Sequence, residues 1–357
     1  MTPRPFRTMT LLACVAVLLA ACTSKSPSHP GASSGGPSGS NGTASVLRLG
    51  YNPSLIQATA LIGMQDGIFN QGISTEGHTA LQPSTYATAA TEVSALQSGS
   101  LDAGYLDPNS AIAAFEATGG GIKIISGATS GGSYLMTTYF AQKVATNLRG
   151  AKIAVPEQGT SDDVALRTYL ADGGVKVGTG GVNIVYEPMS SIVAQYGHGL
   201  TGAWVDEEWA SRMQIEHGAT VFVDEGQSPL WPTTTYPTAV LVARTSYINQ
   251  YPDTISNLLI GQVVANDRVK IQTPQNETDA AAAIKTTTGQ TINQSESDLA
   301  WSHLSFTDDP NTTAIQTDAT KAQKLGLIKT ANLAGIFDLQ PLNAVLQAAN
   351  EPQVAGG

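Results

Sequence analysis

The sequence predicts an α/β fold, and three observations predict it. From Val46 onward, short apolar runs alternate with amphipathic stretches, as strands and helices do when they take turns along one chain. The 357 residues exceed what one hydrophobic core commonly serves and suit two domains. Two distant segments also share a pattern: "QSGSLDAGYLD" (97–107) and "YGHGLTGAWVD" (196–206) each end a helix, turn, and enter a strand that stops at an acid. In register, Leu101 pairs with Leu200, Gly104 with Ala203, Tyr105 with Trp204, and Asp107 with Asp206. Two readings fit this similarity. It is an ordinary helix-to-strand connection met twice, or it marks two α/β domains of one build, each with an aromatic and an acid at a strand's carboxyl end. Ligands of open α/β sheets collect at such ends.

The chain begins with a processing segment rather than with fold. "MTPRPFRT" supplies Arg4 and Arg7 as a positive start, and "MTLLACVAVLLA" is apolar but too short for an ordinary membrane span. The segment ends in "LAAC", Leu19 to Cys22, which resembles the bacterial lipobox. By that resemblance residues 1–22 are a lipoprotein signal peptide and Cys22 is the lipidated first residue of the mature chain. Cys14 leaves with the leader, so the folded part keeps no disulfide and no thiolate metal site. Residues 23–45 are dominated by Ser, Gly and Pro without an apolar period, and read as a disordered tether. Such a tether has a root-mean-square span of roughly 25 Å.

Strands are expected at 46–51, 101–106, 122–128, 152–156, 182–188, 200–205, 219–224 and 238–243. Helical segments lie between them, among them "TYATAATEVSALQSG", "PNSAIAAFEAT", "TSDDVALRTYLA" and "EEWASRMQIEHG". That alternation implies mostly parallel sheets. After Thr245 the pattern turns helical to about Ala349, with Pro252, Pro274, Pro310 and Pro341 near the boundaries.

Composition excludes several function classes. Net charge is −10, and loss of Arg4 and Arg7 makes it −12, with the remaining basic residues scattered. A phosphate backbone needs clustered Lys and Arg, so nucleic acid is not a partner. The five histidines are far apart and form no HExxH pair, and no G-x-S-x-G elbow, P-loop or dinucleotide fingerprint occurs. Asp206, Glu207 and Glu208 are contiguous and would not converge easily on one metal ion. No cofactor and no metal are expected, and the chain is read as a non-enzyme.

The chain resembles the sulfonate, taurine and nitrate type of substrate-binding protein of ABC importers. The resemblance rests on "GATSGG" (127–132), "DVALRTYL" (163–170), "GAWV.E.WASR" (202–212), "RTSYINQYPDT" (244–254) and "FTDDP…LGLIKTANLAGIFDLQPLNAVL" (306–346). It implies a two-lobed periplasmic-binding-protein-like fold of type II, with parallel-rich sheets, a ligand cleft between the lobes and closure by hinge motion. Lobe one would be 46–130 plus 238–350, and lobe two 131–237. "GATSGGS" and "PLWPTTTYPT" would be the crossings. The implied function is the extracytoplasmic binding component of an importer, monomeric and lipid-anchored at the outer face of the cytoplasmic membrane, delivering a small organic ligand to a permease. A thiamine-precursor enzyme on the same fold is a rival, but it carries a cysteine-rich motif that this chain lacks.

The expected ligand-binding residues follow from this frame. Gly159, Thr160 and Ser161 begin a helix whose N–H groups and dipole suit a sulfonate or carboxylate. Ser130, Gly131 and Gly132 offer a second small-residue loop. Tyr105, Asp107 and Asn109 form one lip, Trp204, Asp206 and Glu207 the facing one, with Gln57 and Tyr236 beside them. Tyr105 and Trp204 would offer aromatic faces to an ammonium group. Departures from the sulfonate branch fall on these positions: Gln57 replaces an expected histidine, Asp107 a glycine, and Asp206 and Glu208 prolines, while Ala239 and Val240 replace a Thr-His pair. A sulfonate, in particular an amine-bearing one such as taurine, ranks first. An amine-bearing or thiamine-precursor-like ligand is the alternative.

Overall fold

The computed structural model describes residues 42–138, 140, 142–227 and 235–356. The expected leader, Cys22 and the tether as far as residue 41 lie outside them. The end of the expected tether belongs instead to the folded body. The Ala44 amide donates to Thr254 Oγ1 at 2.8 Å, and the Ala44 carbonyl accepts from Thr79 Oγ1 at 2.7 Å.

The first lobe opens with β1 (Val46–Tyr51), α1 (Ala58–Gln65), β2 (Ala80–Thr85), α2 (Ala89–Ser98), β3 (Ala103–Leu106), α3 (Pro108–Ala117) and β4 (Ile122–Gly131). The chain then crosses at Gly132 into the second lobe. There it forms β5 (Ser133–Thr137), β6 (Lys152–Val155), α4 (Ser161–Asp172), β7 (Asn183–Tyr186), α5 (Met189–Gln195), β8 (Gly202–Asp206), α6 (Trp209–His217) and β9 (Thr220–Asp224). It returns as β10 (Pro237–Arg244) and continues through α7 (Thr245–Gln250), α8 (Pro252–Lys270), α9 (Pro274–Thr288) and α10 (Gln294–Ser302). A short β11 (Leu304–Phe306), α11 (Thr312–Lys324) and α12 (Gln340–Ala349) complete it.

The first sheet has the order β11-β4-β10-β3-β1-β2 and the second β7-β6-β8-β5-β9. Both are mixed. Pairing is parallel among β1, β2 and β3 and among β6, β7 and β8, and antiparallel wherever β5, β10 or β11 joins. The reason is the crossing itself. A strand arriving from the other lobe enters at the cleft, beside the carboxyl ends of the parallel strands: Ser133 starts β5 opposite Asp206, the last residue of β8. The expectation of mostly parallel sheets is corrected to that extent. Three strands were also not expected. β2 contains Pro83 and sits at a sheet edge, where a missing N–H is tolerated. β5 directly follows the glycine pair of the crossing, and β11 is three residues long within a helical region.

Burial explains why both sheets carry helices on both faces. Along β10, Ala239, Leu241 and Ala243 face one core while Val240 and Val242 face another. Across β5 and β8, Leu135 and Trp204 face one core of the second lobe, and Tyr134, Met136, Ala203 and Val205 the other. Helices start where their side chains can take up free N–H groups: Thr88 caps α2, Asp107 caps α3 ahead of Pro108, and Thr273 caps α9 ahead of Pro274.

Candidate ligand-binding cleft

The parallel strands of both sheets end at one cleft with about 950 Å³ of empty space, its open mouth included. The strand ends bring Asp107 from β3, Glu157 from the turn after β6, Asp206 and Glu207 from β8, and Glu225 from the end of β9. Asp162 from the first turn of α4 and Glu92 from α2 add two more carboxylates. Among the described residues the lining contains no lysine, arginine or histidine.

Asp162, Asp206 and Glu225 gather around one buried hydroxyl. Ser133 Oγ donates to Asp162 Oδ1 at 3.0 Å and accepts from Trp204 Nε1 at 2.9 Å; the same indole N–H lies 3.1 Å from Glu225 Oε2. The Tyr236 hydroxyl brackets Ser133, accepting from its amide at 2.8 Å and donating to its carbonyl at 3.2 Å. Burial pushes the Asp206 carboxyl up to about 8, with the charges of Glu225 and Asp107 adding to it. Burial also raises Asp162, followed by the charges of Asp206 and Glu225. Burial and mutual repulsion thus favour the protonated forms of Asp162 and Asp206, and a nearby cation favours the charged ones. Thr238, on the returning strand β10, lines the same cleft; its side chain is 5 % exposed and its hydroxyl has no hydrogen-bond partner among the described residues.

The rim follows a different rule: its helix N-termini already hold carboxylates of this chain. Asp107 Oδ1 accepts from the Ser110 amide of its own helix α3 at 3.1 Å, and from the Ser161 amide and hydroxyl of α4, each at 2.9 Å. Glu157 of the second lobe accepts from the Ala89 and Ala90 amides of α2 in the first, at 3.0 and 3.1 Å. Glu207 accepts from the Ser211 amide of α6 at 3.0 Å and pairs with His303 Nδ1 at 2.7 Å. Glu208 reaches back to the Leu55 amide at 2.9 Å. The acidic run 206–208 is therefore divided. Asp206 belongs to the cleft floor, Glu207 lines the cleft while tying the lobes, and Glu208 is a buried tie.

Of the expected site residues, Gln57, Tyr105, Asp107, Thr160, Ser161, Asp206, Glu207 and Tyr236 line the cleft, whereas Asn109, Ser130, Gly131, Gly132, Gly159 and Trp204 do not. Several expected roles need correction. Gln57 is spent on the Asn52 amide and the Tyr105 carbonyl. Asn109 turns to Ser161 Oγ, and the Gly159 amide donates to Asp163. The loop 129–133 is no anion nest, because Ser130 Oγ and the Gly131 amide both donate to the Tyr236 carbonyl and so hold the two crossings together. The helix start at Ser161 is likewise taken, by Asp107.

The aromatic faces are not offered to a ligand either. Trp204 and Tyr105 are fully buried, and the Tyr105 hydroxyl donates to Gln262. Each sits two residues before its acid, on the same strand face but about 6.6 Å farther from the cleft end. Trp209, at the start of α6, also lines the cleft, with the Arg212 guanidinium 4.9 Å from its ring centre.

Residue reading alone missed Glu92, Glu157, Glu225 and Thr238, saw Trp209 only as the far flank of the acidic run 206–208 and Ser133 only as the end of the loop 129–133, and took Asp162 only as a helix-start residue. Glu225 carried a usable signal, since it follows a strand that stops at an acid, as Asp107 and Asp206 do. Thr238 carried none.

Comparison with known proteins bears on the family and the fold. The profile of the NMT1-like family matches residues 41–285, more than half of the chain. The chain belongs to that family. This NMT1-like protein is 27 % identical over 194 residues to a protein of Brucella abortus named only as a binding protein, covering 54 % of this chain and 57 % of that one. It thus spans just over half the length of the curated relatives it matches. Among solved structures, it is similar to the periplasmic nitrate-binding protein NrtA from Synechocystis, with a TM-score of 0.70, 17 % identity, and 86 % and 90 % of the two chains covered. The periplasmic aliphatic sulphonate binding protein SsuA from Escherichia coli gives 0.64, 16 %, and 88 % and 95 %. The fold is the periplasmic-binding-protein-like one.

Proposed function

We propose that this chain is the solute-binding component of an ABC import system and that its cleft receives a small organic ligand through a cationic, amine- or amidine-bearing group. The observation that carries the ligand class is the make-up of the lining: seven acidic side chains, each able to pair with a cation in its ionised form, and, among the described residues, no basic side chain. A unit charge 4 Å from one carboxylate interacts by about 4 kcal/mol at the effective dielectric of a protein surface, attractive for a cation and repulsive for an anion. A sulfonate or nitrate would meet that repulsion from several sides. The order in which the sequence ranked its ligands, sulfonate first and amine second, is therefore reversed here.

In this reading Asp206, Asp162 and Glu225 take the cationic head, Ser133 and Trp204 hold those acids in place, and Thr238 Oγ1 takes one further hydrogen bond from the ligand. The acidic cleft draws a cation in and discourages anions. The leader and Cys22 fit a body anchored outside the cytoplasmic membrane that works as a monomer with a membrane permease.

A thermal-shift screen of the purified chain at pH 8 tests the ligand class, with amines, amidines, aminopyrimidines, alkanesulfonates, taurine, sulfate and nitrate as probes. A ligand at 100 times its Kd adds about 2.7 kcal/mol, visible as a rise in Tm. Stabilisation by nitrogen bases is the expected result. Stabilisation by sulfonates or nitrate alone overturns the cationic reading.

A further inference from the structure

Two rim carboxylates narrow the ligand class further than charge does. Helices α2 and α4 both begin at the cleft, and free N–H groups at a helix start, with the dipole behind them, are where a ligand's carboxylate, sulfonate or phosphate would be received. At each start a carboxylate of this chain already holds the first N–H. Asp107, from the first lobe, sits 2.9 Å from the Ser161 amide of the second, and Glu157, from the second lobe, sits 3.0 Å from the Ala89 amide of the first. The exchange is reciprocal. A separate observation points a ligand elsewhere in the same lining: the Thr238 hydroxyl, in a side chain 5 % exposed, has no partner among the described residues.

From this geometry we infer that Asp107 and Glu157 are specificity-determining residues that reject any ligand carrying an oxyanion, so that the ligand class is a nitrogen base without a carboxylate, sulfonate or phosphate group. The inference rests on the solute-binding reading of this cleft and deepens it. An oxyanion entering at α4 must displace Asp107 from Ser161 and then share the cleft with it. Zwitterions fail for the same reason: the acids hold their amine, and the first N–H of each helix start is already given to Asp107 or Glu157. Taurine and amino acids therefore fall outside the class, although each carries an ammonium group.

The test is isothermal titration with pairs that share a carbon skeleton, ethylamine against taurine and cadaverine against lysine, with inorganic sulfate as a third probe. Each is titrated into the wild-type chain and into Asp107→Ser. Serine keeps a capping oxygen for α3 while removing the charge from α4. In the wild type the amine of each pair binds, and its zwitterionic partner binds roughly a hundredfold more weakly or not at all. In Asp107→Ser, affinity for taurine or sulfate rises by roughly tenfold or more.

Equal wild-type affinity for ethylamine and taurine overturns the inference and leaves the cationic reading standing. So does a folded Asp107→Ser chain, with wild-type circular dichroism, that remains blind to sulfate. Failure of every amine to bind the wild type sinks the cationic reading itself, while the sulfate arm still judges the role of Asp107. Glu157→Gln, on the opposite rim, carries the same readout should the serine variant not fold.

Discussion

Asp206 is the residue on which chemistry and stability pull in opposite directions. Its carboxyl is pushed up to about 8 by burial and by neighbouring acids, and burial pushes Glu92, 2 % exposed between α2 and β3, up to about 8 as well. In an unfolded chain these groups release their protons near pH 3.9 and 4.3, so between about pH 4 and 8 the folded chain keeps protons that the unfolded chain has lost. Their contribution to stability is therefore highest below that window and is lost as pH rises through it. The unliganded chain should melt at a higher temperature at pH 5 than at pH 8, and Asp206→Asn should flatten that difference; a melting curve that rises with pH contradicts the assignment. The same variant should weaken binding of an amine by about 2 kcal/mol, roughly thirtyfold in Kd, because a charged hydrogen-bond partner is lost. Residue identity was only half legible in the sequence. Asp107 and Asp206 announced themselves by ending strands, but Trp204 and Tyr105 were taken for ligand contacts because spacing gives the face of a strand and not the depth along it.

Elements matter chiefly where the chain changes lobe. Gly131 and Gly132 have φ of +83° and +81°, in the left-handed region that disfavours side chains. A Cβ on Gly132 would lie 2.4 Å from Leu304 Cδ2 and 3.3 Å from Glu207 Cγ. Gly132→Ala should lower unfolding stability by at least about 1 kcal/mol, with the m-value unchanged, in urea denaturation. Unchanged stability would mean that the crossing tolerates another backbone path. Most strands and helices were legible because apolar period and capping residues agree at those positions, as at Thr88 and Asp107. The strands that were not legible have a common cause. β2, β5 and β11 are an edge strand with a proline, a strand hidden behind two glycines, and a three-residue strand, and in each the tertiary neighbours rather than the local sequence decide the conformation.

At the scale of the whole molecule, the cleft is closed by polar ties and lined by acids. Glu207 with His303, Glu208 with Leu55, Arg212 with Glu296, and the two carboxylates seated on α2 and α4 all join one lobe to the other. Contacts of this kind can exchange for water, as the proposed opening and closing of the lobes would require. What the lobes close upon is decided by the acids between them, and their protons report it. A cation entering the cleft favours the charged form of Asp162 and Asp206 and expels protons, whereas an anion favours the neutral form and draws protons in. Titration of methylguanidine, which stays charged throughout, into the purified chain at pH 7 in two buffers of different ionisation enthalpy reads that exchange directly. Binding with net proton release, reduced in Asp206→Asn, is the result this account predicts. Binding without proton exchange, or tight binding of methanesulfonate with proton uptake in the same experiment, would contradict it.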